Sequence, residues 1–254
     1  MSTTTTSSCC SGANVVAAVG PSILNCNFVD IKAEVAVLVA AGVNFIHLDV
    51  MDGNFVDDIT FGPAFVRGLV AAFPGVKFEV HMMVARPMVL VKAMAEAGAV
   101  RYIFHYEVTK EGRGGGEGGD SNNPNNSSSS VTELVEAIHS FKMEASIALN
   151  PATPVETVLP FLPQLDAVLV MTVVPGLGGQ KFIGDMLQKV ATIRGDFPRM
   201  DIELDGGVCL EVIEAAGAAG ANRVVVGTAL LRSTSKAEDV TTMRRALFSA
   251  NSAS

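Results

Sequence analysis

The chain carries only four cysteines, and their placement excludes the chemistries that cysteine usually signals. Cys9 and Cys10 are adjacent in a polar stretch, Cys26 and Cys209 stand alone, and no spacing suits a zinc ribbon or a disulfide framework. A reducing, intracellular compartment is the default. Basic residues are also scarce, 18 against 26 acidic ones, for a net charge of −8. That balance argues against nucleic acid or an anionic membrane as a partner. The longest apolar runs, such as 167–171, are far short of a membrane span. The N-terminus has neither the positive n-region of a secretory signal nor the arginines of a mitochondrial one. Its Ser/Thr-rich, acid-poor character leaves a short plastid-type signal as the minor alternative to a disordered lead-in over 1–14 and a cytoplasmic location. No GxGxxG follows the first apolar run, which counts against a dinucleotide-binding open sheet.

What is present is a regular alternation. The 254 residues fit one large α/β barrel or two ordinary domains. Short, continuously apolar strands are expected at 15–19, 45–51, 77–82, 102–105, 145–149, 167–171, 202–205 and 223–226. Helical periodicity falls between them at 30–41, 63–73, 87–97, 131–141, 155–162, 185–193 and 210–216, and finally at 238–248. Asp30 is the expected N-cap of the first helix, and Pro63 suits the first turn of the second. Residues 110–130 collapse into glycine, asparagine and serine and read as a disordered insertion in a strand-to-helix loop. Eight strand–helix units are best satisfied by a single (β/α)8 barrel over 15–250, with a doubly wound sheet as the alternative.

The strand ending at Met51 organises the rest. Side chains at i and i+2 share a face, so His47, Asp49 and Met51 point one way and Ile46, Leu48 and Val50 the other. On its own this pattern also fits a core histidine satisfied by a carboxylate. In a barrel, function collects at the C-terminal strand ends. Those ends supply Ser22 and Asn25, His47 and Asp49, His81, His105, Asn150, Met171, Asp205 and Gly227. Two histidines and two aspartates among them make a four-ligand N/O set suited to zinc, manganese or iron. His105 and His139 are weaker candidates, and His139, which lies in a helix, is given no role. Three glycine loops, Gly176-Leu177-Gly178-Gly179, Gly206-Gly207 and Gly227-Thr228, can bring backbone N–H groups close to a phosphate.

The segments Pro21-Ser22-Ile23-Leu24-Asn25, His47-Leu48-Asp49-Val50-Met51-Asp52-Gly53 and His81-Met82-Met83 resemble the ribulose-phosphate 3-epimerase family. So do Val170-Met171-Thr172-Val173, Pro175-Gly176, Gly178-Gly179-Gln180-Lys181-Phe182 and Asp205-Gly206-Gly207. The resemblance runs over 15–248, apart from the insertion. It implies a TIM barrel of the ribulose-phosphate binding type and an epimerase of the pentose phosphate pathway. The reaction would interconvert D-ribulose 5-phosphate and D-xylulose 5-phosphate through an enediolate. It also implies His47, Asp49, His81 and Asp205 as ligands of one divalent ion, zinc first, with iron, manganese or cobalt as alternatives. Asp49 and Asp205 would be the two catalytic carboxyls. Ser22 and His81 would contact the sugar, the three glycine loops the phosphate, and Met51, Met83 and Met171 would line the pocket. A homo-oligomer, dimer or hexamer, is expected by the same likeness. Val174, Leu177, Asn27 and Asp57-Asp58 depart from the family pattern, which touches loop closure and affinity rather than the reaction type. Two other readings remain open: an epimerase of a six-carbon ketose phosphate such as allulose 6-phosphate, and a silent barrel that only binds sugar phosphate.

Overall fold

Each strand that was expected from an apolar run is buried at nearly every position, as a sheet covered on both faces requires. The structure, a computed structural model, describes residues 15–113 and 128–251. The tail at 1–14 and the centre of the 110–130 insertion therefore lie outside the described residues. Among those described, eight strands form one parallel sheet in the order β1-β8-β7-β6-β5-β4-β3-β2. They are β1 (Ala18–Gly20), β2 (Ile46–Met51), β3 (Phe78–Met83), β4 (Arg101–His105), β5 (Glu144–Leu149), β6 (Ala167–Met171), β7 (Asp201–Asp205) and β8 (Arg223–Val225). The two ends of the sheet meet at the parallel bridge between Ser22 and His47, with His47 N–H donating to Pro21 O at 2.9 Å. This contact brings the sheet round into a barrel.

The helices are α1 (Ile31–Ala40), α2 (Pro63–Ala72), α3 (Val91–Ala97), α4 (Val131–Ser140), α5 (Leu187–Asp196), α6 (Leu210–Ala219), α7 (Thr228–Arg232) and α8 (Lys236–Asn251). Ile46, Leu48 and Val50 face outward into the same apolar cluster as Val35, Leu38, Val66 and Leu69. The facing set of His47, Asp49 and Met51 is thereby turned into the barrel, as period-two alternation demands. Ser130 starts α4 with a capping box, its hydroxyl accepting the Glu133 N–H while Glu133 accepts the Ser130 N–H.

Several boundaries differ from the sequence reading for identifiable reasons. The helix expected at 155–162 is a pair of 3-10 turns, Val155–Thr157 and Leu159–Gln164, because Pro160 and Pro163 remove the N–H groups an α ladder would need. The first strand is shifted to Ala18–Gly20 and leaves Val16 72% exposed. Asp30 makes no capping bond; Asn27 instead accepts the Val29 N–H and caps the 3-10 turn ahead of α1. The five-residue α7 had no separate periodic signal.

Candidate active site

Four side chains from three strands converge on one point above the barrel interior. His47 and Asp49 come from β2, His81 from β3 and Asp205 from β7. One ligand-type atom from each lies within 4.8 Å of all the others. His81 Nδ1 is 3.1 Å from Asp49 Oδ1 and 3.3 Å from Asp205 Oδ2, while His47 Nε2 is 3.5 and 3.7 Å from the same two oxygens. His47 Nε2 is fully buried and has no hydrogen-bond partner. An orphaned nitrogen aimed at two carboxylates is what a cation site looks like from the protein side, since buried polar atoms are otherwise paired. The donor set of two imidazoles and two carboxylates fits a divalent ion of the zinc, manganese or iron type.

The electrostatics follow from this crowding. Burial works against a charged imidazole, yet the neighbouring Asp49, with Glu203 and Glu79, holds the His47 pKa well above its usual value. Burial would raise Asp49, but His47 and His81 outweigh it and keep this carboxyl well below the usual range. Asp49 Oδ2 also accepts the Ser22 hydroxyl at 2.5 Å.

Beneath the four lies a tier of charge that sequence reasoning missed. His47 Nδ1 is 2.7 Å from Glu79 Oε1, and Arg223 joins Glu79 and Glu203 at 2.7 Å each. Arg101 reaches Glu203 at 3.4 Å and Asp201 at 3.1 Å. Burial and the nearby Glu203 push Glu79 up, whereas Arg223 overcomes burial to hold Glu203 well down. The available signal was positional: Glu79 and Glu203 precede His81 and Asp205 by two residues, so they share the inward face.

His105 also needs correcting. From sequence it ranks as a weaker strand-end candidate, but it is fully buried and its Nε2 sits 2.9 Å from His81 Nε2. Burial and the adjacent His81 lower its pKa despite Glu107. His139 lies half exposed on α4 and pairs with Asp166 at 2.8 Å, away from the site.

Above the four opens a pocket that gathers nearly every other residue singled out from sequence. It is lined by Ser22, Asp49, Met51, Met83, Met171 and Asp205, and by the loops Gly176-Leu177-Gly178-Gly179, Gly206-Gly207 and Gly227-Thr228. His47 and His81 lie under its floor with no exposed surface. Gly206 and Gly207 have φ values of +113° and +66°, and a Cβ on Gly207 would lie 2.5 Å from Phe182 N. Only glycine lets these two loops touch. Asn25 donates to the Thr228 hydroxyl at 2.9 Å, joining the first and last loops at the rim. Leu177 and Val174, two of the unusual positions, are 71% and 62% exposed and reach solvent rather than the pocket floor.

Comparison with known proteins gives two levels of likeness. Solved structures share the fold at low identity. The 3-hexulose-6-phosphate synthase of Salmonella typhimurium superposes with a TM-score of 0.66 at 13% identity, covering 92% of this chain and 99% of its own. KGPDC from Streptococcus mutans gives 0.65 at 13%, with the same coverage. Sequence likeness is far more specific. The ribulose-phosphate 3-epimerase of Eremothecium gossypii is 39% identical over 236 residues, 89% of this chain and 91% of that one. That of Schizosaccharomyces pombe is 36% identical over 238 residues, 93% and 96% of the two chains. The cytoplasmic isoform from Oryza sativa is 33% identical, covering 92% and 96%. The model of the ribulose-phosphate 3 epimerase family matches residues 18–114 and 124–231, breaking only inside the Gly/Asn-rich insertion. The chain belongs to the ribulose-phosphate 3-epimerase family.

Proposed function

We propose that this protein interconverts D-ribulose 5-phosphate and D-xylulose 5-phosphate by inverting C3, as an enzyme of the pentose phosphate pathway in the cytoplasm. The observation that carries the reading is the meeting of two carboxyls, Asp49 from β2 and Asp205 from β7, at the floor of one pocket. Strands β8 and β1 stand between them around the barrel, so the two approach a bound sugar from different sides.

Inversion removes the C3 proton from one face and returns a proton to the other, which a single fixed base cannot do. One aspartate takes the proton as the other, in its acid form, delivers one to the opposite face. In the reverse direction the roles exchange. A divalent ion held by His47, Asp49, His81 and Asp205, zinc first among the candidates, would supply charge stabilisation to the enediolate oxygens. The Ser22 hydroxyl fixes one oxygen of Asp49, which keeps that carboxyl aimed. Met51, Met83 and Met171 present buried thioethers that keep water from a planar intermediate without competing for its protons. Phosphate is held by backbone N–H groups of the three glycine loops, which needs no lysine and agrees with the acidic net charge.

The test is direct turnover. Purified protein loaded with zinc, manganese or iron converts ribulose 5-phosphate to xylulose 5-phosphate, exchanges the C3 proton with solvent and stops when a strong chelator is added. It prefers the five-carbon substrate to allulose 6-phosphate in kcat/KM. Asp49→Asn and Asp205→Asn lose on the order of 10²–10⁴-fold in kcat, the usual worth of a positioned acid or base. Near-full activity in either variant would refute the two-carboxyl mechanism.

A further inference from the structure

His47 and His81 offer opposite ring nitrogens to the cluster, Nε2 from the first and Nδ1 from the second. The remaining nitrogen of each is buried, His47 Nδ1 against Glu79 at 2.7 Å with Glu203 at 3.5 Å. For His47 the nearer carboxylate, Glu79, accepts, so Nδ1 carries the hydrogen and Nε2 is the nitrogen left to give a lone pair to a bound cation. For His81 the partner is a second imidazole. His105 Nε2 lies 2.9 Å away, and one hydrogen has to sit between the two nitrogens. An imidazole can give or accept, so this contact alone does not fix the direction.

The far end of His105 fixes it. His105 Nδ1 is 3.1 Å from Glu107 Oε2. Glu107 is not free to turn, because its other oxygen accepts the Asn150 N–H at 2.8 Å and the Thr153 hydroxyl. The segment bearing those donors is clamped by Lys189, whose ammonium reaches the carbonyls of Asn150, Pro151 and Thr153 at 2.9, 2.8 and 2.6 Å. A hydrogen on His105 Nε2 would leave a bare Nδ1 lone pair facing a fixed carboxylate. A hydrogen on Nδ1 satisfies Glu107 and makes Nε2 an acceptor. His81 then donates through Nε2, and its Nδ1 is left to give a lone pair to a cation held against Asp49 and Asp205.

We propose that His105, oriented by Glu107, is the positioning residue that sets the tautomer in which His81 presents Nδ1 to a divalent cation. This rests on the reading of the four-residue cluster as a metal site. Partners of this kind hold a metal-binding ring in place and raise its basicity. Glu79 does the same for His47, so each histidine is steered by a buried carboxylate, directly in one case and through a second ring in the other.

With four histidines in the chain, the tautomers can be read directly in zinc-loaded wild-type protein by long-range ¹H–¹⁵N correlation. His81 is expected to be protonated at Nε2 and His105 at Nδ1. Zinc affinity is then measured by competition with a chelator in two variants. The carbonyl of His105→Gln reaches the place of Nε2 and accepts from His81, so affinity stays within a few-fold of wild type. The shorter His105→Asn does not reach, and affinity falls about 10–100-fold. A hydrogen on His105 Nε2, or wild-type affinity in His105→Asn, overturns the proposal while leaving the metal site intact. Wild-type protein that binds no zinc, manganese or iron overturns both.

Discussion

His47 and Glu79 stand directly opposite each other in the β2–β3 register, and the ring nitrogen Nδ1 lies 2.7 Å from the carboxylate with both side chains sealed from solvent. The pairing puts a charge in the barrel interior that the ring and Arg223 meet directly. Arg223 in turn spans to Glu203, which also meets Arg101. Carboxylates and guanidiniums alternate here, so the tier is close to neutral while no member can be removed alone.

Glu79→Leu is therefore expected to be costly twice over. It strands the buried side of Arg223, a loss of about 3–5 kcal/mol for one partner of a buried pair. It also frees His47 to rotate, weakening metal binding by roughly 10–100-fold. Glu79→Gln keeps an acceptor for His47 Nδ1 and should retain most of the metal affinity while still losing stability. Urea unfolding and a chelator competition separate the two effects. A Glu79→Leu protein with wild-type stability and affinity would show that the tier is incidental.

How far this was readable from the chain alone depended on distance along it. The inward face of β2 was legible because His47 and Asp49 lie two apart in an otherwise apolar strand, and strand alternation is strictly local. The pocket loops were legible because glycines at consecutive strand ends have few other uses. His105 was passed over because its meaning comes from His81, which lies 24 residues earlier and becomes its neighbour only through the β3–β4 pairing. The 3-10 turns at Val155–Thr157 and Leu159–Gln164 stand where the apolar spacing suggests one helix, because the backbone hydrogen bonds obey Pro160 and Pro163.

The insertion between β4 and α4 should be removable. Its ends are already joined: Lys110 N–H donates to Ser129 O at 3.1 Å, Val131 N–H donates to Glu111 at 3.1 Å, and Lys110 pairs with Glu133 at 3.1 Å. Loop length adds little once the ends are fixed, only about 0.6 kcal/mol for each doubling. Replacing residues 114–127 by a short Gly-Ser turn is expected to leave Tm and kcat/KM close to wild type. A large fall in kcat/KM would assign the segment a part in the pocket.

Asp52 ties two loops together. Its Oδ1 accepts the Asn54 and Phe55 N–H groups at 2.9 and 3.0 Å, and its Oδ2 accepts the Ala85 N–H at 2.9 Å after β3. Burial works to raise this carboxyl, but the backbone donors prevail and lower its pKa. A lowered folded-state pKa means stability that is fully present above the ordinary carboxylate value near 4 and is lost as pH falls through the folded value. Because the group is partly solvated, the contribution is about 1 kcal/mol, after allowance for screening. Asp52→Ala should lower Tm by about 2–4 °C at pH 7, and the gap from wild type should close as pH drops below 4. A gap that widens on acidification would contradict the assignment.

The contact between the loops after β6 and β7 offers the sharpest separation of binding from chemistry. Gly207 has a φ of +66°, and a Cβ there would lie 2.5 Å from Phe182 N and 2.9 Å from Gln180 O. The three nearest atoms it would meet are all backbone, which cannot yield as the end of a flexible side chain would. Gly207→Ala must move the loop after β7 away from the loop after β6 while leaving Asp205, two residues earlier, held by the β6–β7 register with Met171. Strain of about 1–3 kcal/mol in the loops converts to roughly 5- to 100-fold in kcat/KM. On the proposed phosphate-holding role of these loops the change should fall mainly on KM, since a phosphate bound equally in the ground and transition states contributes uniform binding. Gly184→Ala is the matched control: a Cβ there meets nothing within 4 Å, and the residue opens the 3-10 turn ahead of α5. It should leave both constants unchanged. If Gly207→Ala instead lowered kcat with KM intact, the glycine loops would be shaping the catalytic carboxyl rather than holding phosphate.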